Sequence, residues 1–219
     1  MITYNDIKHN EAINTYIKKA DESLKALGYT EHSFAHVGLV SKRAEYILST
    51  MGYSATEVEL AKIAAHLHDI GNIVNRREHS QSGAVMAFRI LDKMDMSPDN
   101  IATIVTAIGN HDEGTGEAVN PIAAALIIAD KSDVRRSRVR NGDLATFDIH
   151  DRVNYSVIET DLSINADKTQ ITLSLTIDTS ISPVIDYFEI FLERMLMCKK
   201  AAKALSLEFK LVINGQSII

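Results

Sequence analysis

The sequence predicts a mainly helical bundle followed by a small α+β subdomain, which contains antiparallel strands and one long helix. Apolar residues recur at helical spacing through most of the first 135 positions. After about position 150 the pattern changes to an alternation of apolar and polar residues, which is typical of half-buried strands. We therefore expect a helical domain over residues 1–145 and an α+β appendage over residues 150–219.

The first four helices of the bundle are defined by their apolar spacing and by one cap. The third helix begins at a capping box formed by Ser54 and Glu57, and it runs to Leu67. The other three present apolar stripes, which predict the faces that they bury. These stripes are, for the first helix, Ile7, Ile13, Tyr16, Ile17, Ala20, Leu24 and Leu27; for the second, Phe34, Val37, Val40, Ala44, Ile47 and Met51; and for the fourth, Ala84, Phe88, Leu91 and Met94.

The fifth and sixth helices are marked by their first residues. "SPDN" and "NPIA" each place a cap residue, Ser97 or Asn120, before a proline at the first helical position. These helices should run from Pro98 to about Asn110 and from Pro121 to about Val134. The segment "EGTGEAVN" between them is expected to form a loop.

The appendage consists of two strands, a helix and a final strand. Ile171 to Ile177 alternate cleanly, and Ser156 to Ile164 alternate less regularly before a hairpin turn at "NADK". The helix spans Pro183 to Leu205, and "LEFKLVING" holds the last strand. Cys198 is the only cysteine, so the chain has no internal disulfide, and its apolar neighbours place it in the core rather than among reactive thiols.

Composition limits the class of protein. The chain has 219 residues, of which 46% are hydrophobic and 24% charged, as expected for one folded domain with an appendage. Its longest apolar run, Pro121 to Ala129, is far shorter than the ~20 residues that span a bilayer. The first residues lack the apolar core of a signal peptide. We therefore expect a cytoplasmic protein with no membrane partner.

Net charge bears on the partners. A formal charge of −6 argues against a dedicated nucleic-acid-binding protein, because non-specific affinity for nucleic acid comes from a basic surface. It leaves room for a small phosphate-containing substrate, since a pocket can be locally basic. The sequence leaves a homo-oligomer open.

The stretch "AAHLHDIGN" ends an apolar helix in ionisable groups, His68 and Asp69. An aspartate in the last turn of a helix meets the negative end of the helix dipole, and a buried unpaired carboxylate costs several kcal/mol. Asp130, at the end of the apolar stretch "AAALIIAD", is a second aspartate in the same unfavourable position. A salt bridge would relieve one such aspartate. Two of them, with His68 and His36 on faces directed into the bundle, favour a bound cation.

These residues resemble the H…HD…D pattern of the HD-domain superfamily of metal-dependent phosphohydrolases. "HVGLVSKRA", "AAHLHDIGN" and "IIADKSD" are similar to the three motifs that carry the pattern, and the resemblance covers about residues 30–140. It implies an HD-type bundle that holds one metal ion. The ligands that it implies are His36, His68, Asp69 and Asp130.

Two further motifs imply a second metal ion. "REHSQSG" and "GNHDEGTG" place His79 and His111 where binuclear members carry histidines, and Asp69 would bridge the two ions. A set of imidazole and carboxylate ligands suits iron or manganese, with zinc, nickel or magnesium still open. Whether His32 or Asp112 also binds metal is undecided. Of the remaining histidines, His66 should point away as a hydrogen-bonded interface residue, and His9 and His150 should lie on the surface.

The resemblance implies hydrolysis of a small phosphate ester, nucleotide or phosphodiester by a metal-activated water. Asp69 and Lys131 are the candidate catalytic residues, and Lys131 would neutralise charge on the phosphoryl oxygens. In "DVRRSRVRNG", Arg135, Arg136 and Arg138 are candidates for binding substrate phosphate, and a solvated, charged helix end is the alternative reading of this cluster. Glu113 and Asp133 are candidate supporting residues.

Two other functions compete with the hydrolase. An HD-type di-iron oxygenase resembling myo-inositol oxygenase would use a similar ligand array, and a non-catalytic signalling or assembly module would keep a structural metal. The basic residues favour the phosphate substrate. The family's cyclic-dinucleotide phosphodiesterases carry a Gly-Tyr-Pro after their paired histidines, whereas this chain has "EGTGEAVNP". Hydrolysis of cyclic dinucleotides is therefore not favoured.

Overall fold

The computed structural model describes residues 2–219 and confirms a mainly helical fold with a small sheet near the C-terminus. Short 3-10 turns lie at Ile70–Ile73, Arg136–Arg138 and Leu144–Thr146. The helices are α1 (Tyr4–Lys8), α2 (Glu11–Ala26), α3 (Phe34–Met51), α4 (Ala55–Leu67), α5 (His79–Lys93), α6 (Pro98–Gly109), α7 (Pro121–Lys131), α8 (Ile149–Ser156) and α9 (Val184–Ala204). The strands are β1 (Val157–Ile164), β2 (Gln170–Ile177), β3 (Glu208–Ile213) and β4 (Gln216–Ser217).

The helix starts follow local capping chemistry. Ser54 and Glu57 form the predicted capping box at the start of α4. The Asn120 side chain accepts a hydrogen bond from the Ala123 amide, as an N-cap does. Asn10 does the same for α2, and this cap divides the predicted first helix into α1 and α2. Ser97 precedes Pro98 as predicted, but its side chain makes no cap hydrogen bond within the described chain.

Helix α7 is the centre of the bundle. All its residues from Ile122 to Ala129 are buried, and it packs against α3, α4, α6 and α9. The helix ends at Lys131 instead of the predicted Val134, with Ser132 as its C-cap, and the Ser132 hydroxyl donates to the Ala129 carbonyl. Its early end fixes where Asp130 and Lys131 lie.

Part of each predicted apolar stripe lies at the surface. Tyr16, Leu27, Phe34 and Phe88 are exposed, whereas most other stripe residues are buried. Leu27 caps the end of α2 and Phe34 begins α3, so these positions lie beyond the packed turns of their helices. Cys198 is fully buried, as predicted.

The sheet is mixed, with strand order β1-β2-β3-β4. The expected antiparallel pairing holds for β1 with β2 and for β3 with β4, whereas β2 and β3 are parallel. The reason is α9, which lies between β2 and β3 in the chain and returns it to the starting edge, as a crossover helix does. Apolar residues of α9 and of the sheet belong to the same buried core as the bundle. Within residues 2–219, no helix combines the length and hydrophobicity needed to cross a bilayer.

Candidate metal centre

Six ionisable side chains from five parts of the chain converge in the bundle. His36 comes from the first turn of α3, and His68 and Asp69 follow α4 directly. Their partners are His79 at the start of α5, His111 just after α6 and Asp130 in the last turn of α7. The four histidines and Asp69 are buried, and Asp130 is half-buried. The fold therefore brings side chains from distant parts of the sequence into one place.

The first group surrounds the Nε2 atoms of His36 and His68, which lie 3.2 Å apart. Asp130 Oδ1 is 3.3 Å from His36 Nε2 and 3.6 Å from His68 Nε2. Asp69 Oδ2 is 3.5 Å and 3.4 Å from the same two nitrogens. One small volume therefore receives two imidazole nitrogens and two carboxylate oxygens.

The second group adjoins the first. The Nε2 atoms of His79 and His111 are 3.2 Å apart, and Asp69 Oδ1 is 3.3 Å from His79 Nε2. Asp69 thus directs one oxygen at each group, which is the arrangement of a bridging carboxylate. Asp112 lies 3.7 Å from His79 Nδ1 and can form a ligand-like triplet with His79 and His111.

The hydrogen bonds on the outer nitrogens fix each imidazole. Nδ1 of His68, His79 and His111 lies 2.7, 3.1 and 2.6 Å from the carbonyl oxygens of Ala65, Arg76 and Ile108 respectively. A carbonyl oxygen only accepts, so each Nδ1 carries the hydrogen and donates it.

His36 is fixed in the same way by a carboxylate. Its Nδ1 donates to Asp133 Oδ2 over 2.7 Å. Arg138, Arg135 and His36 outweigh the effect of burial and hold the pKa of Asp133 below its ordinary value, so this carboxylate is ionised. All four imidazole rings are therefore held through Nδ1 and direct Nε2 at the centre.

This donor set fits divalent metal ions. With a metal bound, the imidazoles would be neutral and protonated on Nδ1, and the Nε2 lone pair of each would be available to the ion. Ligating histidines whose outer nitrogen donates to a carbonyl or carboxylate are the usual form in metal sites. Nitrogen and carboxylate donors without thiolate suit iron, manganese or zinc.

Electrostatics describe the centre without metal. Burial opposes the charged form of His68, but Asp69 and Asp130 outweigh it and raise the pKa of His68 to about 10. Burial likewise favours the neutral acids at Asp69 and Asp130. The neighbouring histidines, and at Asp130 also Lys131, nevertheless hold the pKa of both carboxyl groups well below the ordinary value. The carboxylates are therefore ionised and available as ligands across the physiological range.

A glycine allows the turn that brings these residues together. Gly71 lies in the 3-10 turn after Asp69, and a Cβ atom there would overlap the backbone of His79 and Gly83. Without a side chain, the turn packs directly on the first turn of α5. His79 is thereby held beside Asp69.

Lys131 lies at the inner edge of a row of alternating charges. Its Nζ is 2.8 Å from Asp130 Oδ2 and 3.2 Å from Glu113 Oε2, and Glu113 Oε1 is 2.7 Å from Arg194 Nε on α9. Burial disfavours the charged amine, but Asp130 and Glu113 raise its pKa above the ordinary value. The alternation of Asp130, Lys131, Glu113 and Arg194 connects the metal centre to the C-terminal helix.

The predicted phosphate-binding arginines are placed differently from one another. Arg135 pairs with Glu31 and Asp133, at 2.9 and 2.8 Å. Arg136 stacks on Tyr155 of α8 and donates to the Tyr155 carbonyl, and it is not among the residues that line the space over Asp69 and Asp130. Arg138 is buried and lines the space beside the centre.

The other histidines also differ in their surroundings. His32 is half-buried, donates from Nδ1 to the Thr30 carbonyl over 2.7 Å and meets the His36 ring edge-on at 5.4 Å. His66 is buried and turned away from the centre as predicted, but neither ring nitrogen has a hydrogen-bond partner among residues 2–219, so the expectation of a satisfied histidine was wrong. His9 and His150 are exposed, as predicted.

A cavity of about 410 Å³ opens beside the metal centre. Arg76 and Arg194 line both this cavity and the narrow space over Asp69 and Asp130. Neither arginine was predicted as a site residue. Arg76 stands three positions before His79, in the turn that leads into α5, so it is close to a candidate ligand in sequence. Arg194 lies far from the motifs in sequence, so no comparable signal marks it.

A comparison with protein-family models agrees with the sequence motifs. Residues 31–136 match the family model described as HD domain. An uncharacterized protein of Methanocaldococcus jannaschii is 26% identical over 160 residues, which cover 63% of this chain and 61% of that protein, less than two thirds of its length. A solved structure described as a predicted HD superfamily hydrolase, from an uncultured Thermotogales bacterium, is 25% identical with a TM-score of 0.46, covering 58% of this chain and 69% of that one.

Proposed function

Because residues 31–136 form an HD domain, the domain of a superfamily of metal-dependent phosphohydrolases, we propose that this protein is a binuclear phosphohydrolase. Its substrate would be a small phosphate ester or nucleotide, and water would be the attacking group. The observation that carries the proposal is the pair of adjoining donor groups, between which Asp69 divides its two carboxylate oxygens.

The ligand sets follow from these groups. His36, His68, Asp69 and Asp130 would hold one ion, and His79, His111 and the other Asp69 oxygen would hold the second. Bound there, two divalent ions would supply an activated water and neutralise the charge of the phosphate oxygens. Iron or manganese fits the donors best.

The chain's own residues complete the chemistry around the ions. Asp133 fixes the orientation of the His36 ring through its 2.7 Å contact, so that Nε2 faces inward. Lys131, buried and held protonated by Asp130 and Glu113, would stabilise negative charge that develops on the phosphoryl group. Burial raises the pKa of Cys198 to about 12, which makes this thiol a poor nucleophile.

The C-terminal appendage would contribute to the same site. We propose that the HD-type domain spans residues 1–145 and that residues 150–219 form an appendage whose helix α9 closes one side of the cavity. The position of Arg194 on α9 supports this role of the appendage, because Arg194 pairs with Glu113 of the bundle and also lines the cavity.

A metal count and an ester assay test the proposal together. Protein purified without chelator should contain about two equivalents of metal, and with Mn²⁺ or Fe²⁺ it should release phosphate or an alcohol from a panel of phosphate esters. Asp69→Ala should lower both metal occupancy and turnover by more than about 100-fold, because losing a ligand exceeds the loss of a residue that only orients one. Asp167→Ala, an exposed hairpin position, is the matched control.

Two results would overturn the proposal. Full activity in Asp69→Ala would show that the reaction does not depend on the bridging carboxylate. Oxygen consumption with a polyol or phosphonate, without hydrolysis of any ester, would instead assign the centre to an oxygenase.

A further inference from the structure

Arg76 occupies an unusual electrostatic position at the edge of the metal centre. It is half-buried, and its Nη1 atom lies 3.4 Å from both Asn72 Oδ1 and His79 Nε2. Its guanidinium also lies 5.7 Å from the centroid of the Tyr29 ring. It lines both the narrow space over the metal ligands and the 410 Å³ cavity that opens from it.

Three arginines line both the cavity and the narrow space over the ligands, and among them Arg76 alone has no carboxylate partner within the described chain. Arg138 pairs with Asp133, and Arg194 pairs with Glu113. A guanidinium removed from water needs an anion to compensate its lost hydration. At Arg76 none of the residues from 2 to 219 supplies that anion.

The contact between Arg76 and His79 links anion binding at Arg76 to metal binding at His79. Since His79 Nδ1 donates to the Arg76 carbonyl, Nε2 holds the lone pair that Arg76 Nη1 approaches. The same lone pair is the one that a metal would use. If His79 bound a metal ion, Arg76 would lose this acceptor and would keep only the long contact to Asn72, so its guanidinium could form a bidentate contact to an anion beside the centre.

Arg138 is the second donor at this edge. It is buried, and its Nε and Nη1 atoms donate to the carbonyl oxygens of Glu31 and Asp133, at 2.9 and 2.8 Å. Its Nη2 atom makes no hydrogen bond to the chain described by the structure. Three guanidinium groups, from Arg76, Arg138 and Arg194, therefore line both the space over the ligands and the cavity, and Arg194 is already paired with Glu113.

The outer wall of the cavity has the opposite charge. Asp148 and Asp151 of the α8 segment line it, together with the buried Asn154. Asp148 also lies 3.8 Å from His150, and both are exposed at the mouth. Carboxylates and an amide accept hydrogen bonds from hydroxyl or amino groups, and the carboxylates repel a second phosphate.

We propose that Arg76, assisted by Arg138, binds the phosphate of a phosphomonoester, and that the alcohol part of this substrate carries hydroxyl or amino groups that face Asp148 and Asp151. The proposal rests on the proposed phosphohydrolase function and narrows its substrate. A volume of about 410 Å³ is near the lower end of ligand pockets. It suits a small polar phosphomonoester rather than a polyphosphate or a dinucleotide.

The first experiment tests the phosphate contact with and without turnover. Binding of inorganic phosphate to the metal-loaded protein is measured by calorimetry, and kcat/KM is measured on a phosphomonoester. Arg76→Gln should weaken phosphate binding and lower kcat/KM by about 10- to 100-fold, as expected for a lost charged hydrogen bond. Metal occupancy and Tm should stay unchanged, and Arg77→Gln, its exposed neighbour, should match the native protein.

Arg76→Lys separates charge from geometry. A lysine keeps the positive charge but cannot form the bidentate contact. We expect it to recover part of the phosphate binding lost in Arg76→Gln. It also serves as the test should Arg76→Gln fold poorly.

The second experiment tests the outer wall. Native protein should prefer phosphomonoesters of amino or polyhydroxy alcohols over monoesters of apolar alcohols, over diphosphorylated compounds and over dinucleotides. Asp151→Asn should reduce the preference for amino alcohols by about 10-fold and should improve activity on diphosphorylated compounds. Its phosphate affinity should be at least that of the native protein.

The outcomes distinguish this inference from the proposed function. If the native protein hydrolyses esters and Arg76→Gln does so equally well, the assignment of Arg76 is wrong and the hydrolase assignment stands. If a dinucleotide or polyphosphate is the best substrate, the assignment of the outer wall is wrong. If metal-loaded protein hydrolyses no ester, the hydrolase assignment fails. In that case, phosphate binding that depends on Arg76 would still support the anion site. If phosphate did not bind either, both the anion site and the hydrolase function would be wrong.

Discussion

His66 offers a prediction that separates burial from metal binding. The residue is 3% exposed, its ring meets Tyr4 edge-on at 5.6 Å, and neither ring nitrogen has a hydrogen-bond partner in residues 2–219. Burial first, and then the positive charges of Lys8 and His68, lower the pKa of His66 from 6.5 to about 4. The folded protein therefore holds this histidine neutral.

The sign of the pH dependence follows from that depressed pKa. Below pH 6.5 the unfolded chain binds a proton at His66 that the folded protein does not bind until about pH 4. The free energy of unfolding therefore falls as the pH drops through this range. Since one pKa unit is about 1.36 kcal/mol, the full loss is about 3 kcal/mol, and between pH 7 and pH 5 it is about 2 kcal/mol.

The assay compares native protein with His66→Leu. Urea unfolding of both, in the presence of chelator, gives the free energy of unfolding at each pH. Because the metal ligands titrate in both proteins, the difference between the two curves isolates position 66. We expect native protein to lose about 2 kcal/mol more than His66→Leu between pH 7 and pH 5. His150→Leu, at an exposed position, should follow the native curve.

Parallel curves for native protein and His66→Leu would refute this reasoning. They would mean that the His66 ring is solvated in the folded protein or paired when protonated. A native curve that rises relative to the variant on acidification would reverse the sign and show a stabilising partner for the imidazolium.

Three further outcomes follow from the site. Asp133→Asn removes the anionic partner of His36, so Mn²⁺ affinity measured by calorimetry should fall about 10- to 100-fold, and unchanged affinity would contradict the orienting role of Asp133. At Gly116 a Cβ atom would overlap the Asp112 carbonyl and the Met197 side chain, so Gly116→Ala should cost about 1–3 kcal/mol in urea unfolding, whereas Gly142→Ala, with open space around it, should be neutral. Chelator should lower Tm, and added metal should restore it in proportion to the logarithm of its concentration; a Tm independent of metal would contradict binding to the folded state.

Most of the bundle could be predicted because its signals are local. The capping box at Ser54 and the prolines at positions 98 and 121 act within one turn of helix, and the structure has helices beginning where they indicate. The metal-ligand candidates were also accessible from the sequence. His68, Asp69 and Asp130 are conspicuous because they end apolar helices, whereas His79 and His111 lie in polar stretches and were found only through the resemblance to the family's motifs.

The remaining features depend on contacts between distant segments. The parallel pairing of β2 and β3 is set by how α9 packs on the core, which the alternation within each strand does not encode. Helix α8 is short, and its cap, Asp148, has no apolar stripe to accompany it. Arg76 and Arg136 show the same limit for charges. Arg136 was predicted to bind substrate phosphate and Arg76 was not, yet Arg136 stacks on Tyr155 and Arg76 lines the cavity.

The alternating charges that connect Asp130 to Arg194 also limit how this protein can be rebuilt. Replacing the C-terminal segment with one that lacks Arg194 would leave Glu113 without its guanidinium partner. Lys131 would then pair more strongly with Glu113 and less with Asp130, the carboxylate that we propose as a metal ligand. Chimaeras made to alter substrate preference should therefore exchange Glu113 and Arg194 as a unit. Exchanging the segment alone would alter metal affinity along with specificity.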